Sequence, residues 1–186
     1  LFPYTTLFRS AQVSSINSIY EKISQKGFKF FSEVELINPQ GQKTKGYSFI
    51  KEIKNKEVTS LITDDKFYEL GQASVSLGYS QRYMRGSWCT IKNLTEPNPE
   101  IGKDFQKPVT EFFRKPQDGK YKHVATAGYN TLISYLKQNH PNIKSLDANI
   151  RSQQSWDFHQ KYGFRDYLQT EYDPYEMVNR LSFTIK

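Results

Sequence analysis

Ser152-Gln153-Gln154-Ser155-Trp156-Asp157-Phe158-His159-Gln160-Lys161-Tyr162-Gly163-Phe164 decides how this chain is read. Ser152 is a residue type that caps helix starts, Gly163 is one that ends them, and Ser155, Trp156, His159 and Tyr162 recur at the spacing of one helical face. The stretch therefore reads as a short amphipathic helix stopped by a glycine and followed by a strand. One imidazole shares a face with small and aromatic residues. A packed helix makes such a histidine a satisfied core or boundary residue, whereas a reactive role would use its titration near neutral pH.

Working upstream, Ile143 to Ile150 reads as a strand. Ala125 to Gln138 reads as a helix, with Tyr129, Leu132, Ile133 and Leu136 on one face and Pro141 stopping it. Val109 to Arg114 reads as a strand and Lys115 to Lys122 as a basic turn. Downstream, Arg165 to Thr170 and Met177 to Ile185 are closing strands. The first half differs in character: a helix from Val13 to Lys26, then a hairpin of Phe28 to Ile37 and Gly46 to Ile53 turned by Asn38-Pro39-Gln40-Gly41. Val58 to Thr63, Gln72 to Tyr79 and Ser87 to Leu94 follow as strands, with Tyr79 to Gly86 as a basic, aromatic connection between the last two. The expected class is α/β of the α+β kind, a mixed, mostly antiparallel sheet flanked by helices.

The 186 residues, 37% hydrophobic and 15% aromatic, suffice for one well-buried domain. No run approaches the roughly eighteen apolar residues of a membrane span, and no segment has the layout of a secretion signal, so a cytoplasmic protein is expected. One cysteine, Cys89, excludes an internal disulfide, and three scattered histidines make a metal centre an unexpected feature. The net charge of +7 suits an anionic partner without choosing one. Nucleic acid is disfavoured because lysines alternate with acids rather than forming blocks. Residues 1–10 look like a translated sequencing-library adapter, which leaves 11–186 as a single domain and an early element of the natural chain as an expected loss.

Lys120-Tyr121-Lys122-His123-Val124-Ala125-Thr126-Ala127-Gly128 joins a strand and basic turn to a helix that opens on small residues. Unpaired N–H groups and the positive end of the helix dipole make such a joint receptive to phosphate oxygens. Ala125, Ala127 and Gly128 keep side chains out of the way. A plain strand-turn-helix joint has the same appearance.

Together, the order strand, basic loop, helix, strand, helix with Gly-Phe, strand resembles the GNAT superfamily of acyl-CoA-dependent N-acetyltransferases over about residues 109–186. Family members carry Q/R-x-x-G-x-G/A after a strand that ends near a proline, matched here by Val109 to Pro116 and then Lys120-x-x-His123-x-Ala125. They also carry N-x-x-A/S-x-x-x-Y/H-x-K-x-G-F, matched by Ser152-x-x-Ser155-x-x-x-His159-x-Lys161-x-Gly163-Phe164. Three positions depart from the pattern: Lys120 for Gln or Arg, His123 for the first glycine, and Ser152 for Asn. The His123 ring either fills space where backbone nears a pyrophosphate, or points outward and adds a donor.

The resemblance implies a single N-acetyltransferase-like domain, with 109–186 its cofactor-binding half. It implies direct transfer of an acetyl group from acetyl-CoA, as co-substrate, to a primary amine on a small molecule or protein. Phe113, Arg114, Lys120, Lys122, His123, Val124, Ala125, Thr126, Ala127, Gly128, Ser152 and Ser155 would bind the cofactor. His159 would be the acid near the thiolate and Glu111 the base. A homodimer is compatible with this class. The alternative is a GNAT-shaped binding or regulatory module with weakened turnover, motivated by His123; a basic nucleic-acid-binding domain is a third.

Overall fold

The computed structural model describes residues 18–77, 84–86, 121–166, 169, 171–176 and 179–186. Among the described residues seven strands form one sheet in sequence order: β1 (Lys29–Ile37), β2 (Lys43–Ile53), β3 (Glu57–Thr63), β4 (Glu69–Leu77), β5 (Met84–Gly86), β6 (Ser145–Ile150) and β7 (Asn179–Thr184). Neighbours are antiparallel except β5 and β6, which run parallel with Met84 beside Leu146 and Gly86 beside Ala148. Three helices accompany the sheet: α1 over residues 18–25, α2 (Val124–Asn139) and α3 (Gln153–Tyr162). The mixed, mostly antiparallel sheet with flanking helices is the expected class.

The first hairpin forms because Asn38 organises its turn. Its Oδ1 accepts from the N–H groups of Gln40 and Gln42, and Gly41 supplies a left-handed residue at φ 80°. On β2, Gly46 lies so close to the next strand that a Cβ would come within 2.4 Å of the Thr63 carbonyl oxygen. Glycine is required there by contact rather than by φ.

Side chains alternate across the sheet. Phe49 and Leu61 point to the face covered by α1, where they meet Ile19, Ile23 and Phe28. Ile50, Val58, Ala73 and Val75 point to the other face and meet Tyr129, Leu132, Ile133 and Leu136 of α2. The same core takes in Leu146, Ala148 and Ile150 of β6, Trp156 of α3, Phe164 and Leu181. Burying each of these large apolar side chains contributes about 1.5–3 kcal/mol, and the helical stripe read from the sequence is the face that is buried.

Tyr79 to Gly86, expected as a connection, contributes Met84–Gly86 as β5 instead. A three-residue strand has too little length for an alternation to show; its partners hold it on both sides. Two other expected strands also differ. Ile143 belongs to the turn after α2, its N–H bonded to the His140 carbonyl at 3.0 Å, and β6 begins at Ser145. Arg165 makes a single bridge to Ser182 rather than opening a longer strand, because Asp166 already leaves the ladder. The expected strands Ser87 to Leu94 and Val109 to Arg114 lie outside the described residues, as do residues 13–17 of the first helix.

Candidate functional site

Strand directions bring two helix starts to one end of the sheet. β5 and β6 run in the same sense, so their C-terminal ends lie together, at the end where β1 finishes and β4 begins. α3 starts at Ser152, directly after β6. α2 starts at that end too, because Val124 and Ala127 pack with Leu36 near the end of β1, Ile62 of β3 and Leu70 of β4. Open α/β sheets bind ligands outside the C-terminal ends of their parallel strands.

The start of α2 is fixed by its neighbours. Lys122 bridges to Ile37, its N–H donating to the Ile37 carbonyl at 2.9 Å and its carbonyl accepting at 3.3 Å. His123 then turns the chain in the left-handed conformation, φ 68° and ψ 10°, and its side chain makes no capping bond. The first helical bond runs from the Ala127 N–H to the His123 carbonyl at 2.9 Å. The N–H groups of Val124, Ala125 and Thr126 precede it and face out of the helix end. Deeper in, the Ser60 hydroxyl donates to the Gly128 carbonyl at 3.0 Å and ties α2 to β3.

His123 is exposed. The backbone takes the left-handed geometry that glycine adopts most readily, and histidine is among the residues that tolerate it. Its ring lines a cleft of about 350 Å³ between α2 and β1, with Thr126, Asn130 and Ser134 on the helix side and Ser32 and Glu33 on the strand side.

α3 is capped as expected. Ser152 is extended and its Oγ accepts from the Ser155 N–H at 3.2 Å. Gly163, at φ 126°, bonds back to the His159 and Gln160 carbonyls, and the Phe164 N–H reaches the His159 carbonyl at 2.9 Å. Both serine hydroxyls are engaged within the helix, that of Ser155 lying 3.3 Å from His159 Nδ1.

His159 is 4% exposed. Its Nδ1–H donates to the Ser155 carbonyl at 2.6 Å, since a carbonyl can only accept, and its Nε2 lies 2.8 Å from the Tyr129 hydroxyl. The neutral imidazole thus carries its proton on Nδ1 and accepts from Tyr129 on Nε2. Burial holds the imidazole pKa below its ordinary value, which the Ser155 carbonyl partly offsets. Burial, then the nearby Tyr162, pushes the Tyr129 phenol well above its own. Phe158, Tyr162 and Phe164 surround the pair, each with its ring centroid 5.0–5.3 Å from one of the two rings.

The structure thus brings Lys122 to Gly128 together at one helix start, and Ser152, Ser155 and His159 on the neighbouring helix. Glu111, Phe113, Arg114 and Lys120 lie outside the described residues. Tyr129 is the partner the sequence does not announce: it sits on the apolar stripe of α2, thirty positions before His159. Among the described residues no three His, Cys, Asp or Glu side chains converge as for a metal ion, and no helix is long and apolar enough to cross a membrane.

No family model and no curated protein matches the chain. Among solved structures it is similar to the spermidine/spermine N-acetyltransferase SpeG from Vibrio cholerae, at 14% identity and a TM-score of 0.43, over 70% of this chain and 66% of that one. The chain therefore spans just under two thirds of that structure's length.

Proposed function

We propose that the chain is an acetyl-CoA-dependent N-acetyltransferase acting by direct transfer to a primary amine. The observation that carries this reading is the start of α2 at the C-terminal end of the β5–β6 pair, with position 123 in the left-handed conformation and three N–H groups behind it. The positive end of a helix dipole and outward N–H groups suit the pyrophosphate of the co-substrate. Val124, Ala125 and Thr126 would hold it through main-chain N–H groups, Lys122 and Lys120 would add charge, and Ala127 and Gly128 would leave room. Phe113 and Arg114, with Ser152 and Ser155, complete the cofactor surface we assign.

When bound, acetyl-CoA supplies an activated acyl group, so the chain needs no covalent nucleophile. Its own work is to align the amine, take a proton from nitrogen and return one to the thiolate. We assign proton return to His159 acting with Tyr129: the proton taken from the amine would be held at Nε2 and passed to the thiolate through the Tyr129 hydroxyl. Nδ1 is fixed on the Ser155 carbonyl, which leaves Nε2, 2.8 Å from the Tyr129 hydroxyl, as the position where a proton is gained or lost. Glu111 is the base in this reading.

The test is a thermal melt with acetyl-CoA, because a ligand that binds only the folded state raises its stability. A rise that free CoA competes away supports the reading; a folded protein with no shift at millimolar acetyl-CoA sinks it. A second reading, a binding or regulatory module of the same shape, is favoured by the burial of His159 with both ring nitrogens engaged. Cofactor binding with no acetylation rate selects that reading; a measured rate that His159→Ala lowers while cofactor binding stays intact disfavours it.

A further inference from the structure

We propose that a cleft at the edge of β7 away from β6 is a docking site for an extended acidic peptide of a protein partner, separate from acetyl transfer. The cleft measures about 490 Å³ and is walled by Ile133 and Lys137 of α2, by Arg165, and by Phe183, Thr184 and Lys186 at the end of the chain. Among the described residues three cations line it and no carboxylate side chain does. Asp147, near by on β6, is held by the Ser182 hydroxyl and by Arg180.

The main chain of the wall is open for pairing. Arg165 fills one rung beside β7, exchanging bonds with Ser182 at 2.8 Å in both directions. Because outward and inward groups alternate along an antiparallel strand, the N–H and carbonyl of Thr184 point the same way as those of Ser182. Ile185 confirms the alternation, its N–H turning inward to the Lys144 carbonyl at 2.9 Å. The residue that would continue the ladder opposite Thr184 is Gly163, but its N–H is spent on α3 carbonyls. Among the described residues no strand takes that rung.

Each cation has a local role taken singly. Lys137 sits in the last turn of α2, where it complements the dipole, and Arg165 Nη1 donates to the Gln160 and Phe164 carbonyls at the end of α3. Those roles do not require one acid-free wall beside an open rung and an apolar floor of Ile133 and Phe183. An extended peptide matches all three: its backbone pairs with Thr184, and its alternating side chains place carboxylates on Lys137 and Arg165 and an apolar group on the floor. Nucleic acid would use the charge but neither the floor nor the rung.

The test is a fluorescence-anisotropy titration without acetyl-CoA, using a labelled hexapeptide that alternates glutamate and valine. Saturable binding is expected, weakened about tenfold by Lys137→Glu, the equivalent of 1.4 kcal/mol. Thr184→Pro removes only an outward N–H and is expected to weaken binding with little change in melting temperature. If that variant fails to fold, Lys137→Glu still decides. The proposal is overturned by no saturation at millimolar peptide, by equal affinity in Lys137→Glu, or by equal affinity for a lysine–valine peptide. It is overturned equally by tighter binding of a single-stranded oligonucleotide, or by a wild-type dimer that Lys137→Glu splits, which would make a second copy the occupant.

Discussion

The hydroxyl of Tyr129 on α2 meets Nε2 of His159 on α3 at 2.8 Å, joining the two helices that start at the same end of the sheet. The Ser155 carbonyl fixes the imidazole tautomer, and the Tyr129 contact gives Nε2 its partner inside an aromatic shell. Burial of the imidazole sets the direction of the protein's response to pH.

Because burial depresses the His159 pKa in the folded state, the unfolded chain binds the proton more readily. Stability from this group is complete above the ordinary imidazole pKa and is lost as pH falls through that value toward the folded one. The difference in melting temperature between the wild type and His159→Gln is therefore expected to shrink between about pH 7.5 and pH 5. A difference that stays constant over that range would show that His159 is not held neutral. Tyr129→Phe leaves Nε2 buried without its donor and is expected to cost about 1–3 kcal/mol at pH 8.

His123 makes a second prediction, since a residue with a Cβ pays for φ 68° where glycine does not. His123→Gly is expected to stabilise the protein by roughly 0.5–1 kcal/mol, the left-handed penalty less the backbone freedom that glycine brings to the unfolded chain. Chemical denaturation measures this directly. On the acetyltransferase reading the same variant also tightens acetyl-CoA binding. A loss of affinity would instead make the His123 ring a donor to the ligand.

Much of this was legible in the residues. Ser152 and Gly163 bound α3 as read, and the stripe Tyr129, Leu132, Ile133 and Leu136 is the face that α2 buries. Caps and helical periodicity are local signals, set by residues a few positions apart. What escaped is non-local. Met84–Gly86 is a strand only because β4 and β6 flank it, and Tyr129 is a polar partner only because α3 folds against it. A tyrosine on an apolar stripe looks the same in sequence whether or not its hydroxyl finds an acceptor. The left-handed turn at His123 was half legible: the position corresponds to a glycine of the family pattern, but a histidine gives no sign of φ on its own.

Gly46→Ala tests the closeness of β2 and β3. The added Cβ would stand 2.4 Å from the Thr63 carbonyl oxygen and 2.6 Å from Leu36 Cδ1, and the first of these is backbone that cannot rotate away. The expected loss is about 3 kcal/mol, the upper part of the usual range for overpacking. Leu36→Ala in the same background relieves only the side-chain contact, so it should not restore stability; a rescue would place the clash at Leu36 instead of Thr63.

The far end of α2 is anchored on β2 by one carboxylate. Glu52 accepts from the Tyr135 hydroxyl through Oε2 and lies 2.7 Å from His140 Nε2 through Oε1. Burial first, and then the bond and charge of Glu52, push the Tyr135 phenol up to about 12. A raised phenol pKa means that the folded state keeps a proton the unfolded chain releases, so this stability is complete below the ordinary tyrosine value and drains away as pH climbs from about 10 toward 12. Glu52→Gln keeps an acceptor for Tyr135 but removes the charge. It is expected to lower the Tyr135 titration midpoint, read as the 295 nm tyrosinate absorbance missing from a Tyr135→Phe control, and to weaken the alkaline loss of stability. Glu52→Ala removes the acceptor as well and should destabilise the protein further, by about 1–2 kcal/mol relative to Glu52→Gln, because two half-buried donors then lose their common partner. Equal stability in the two variants would mean that water replaces the carboxylate at no cost, and that this end of α2 is held by the packing of Tyr135 against Phe31 of β1, 6.3 Å between ring centroids, rather than by Glu52 of β2.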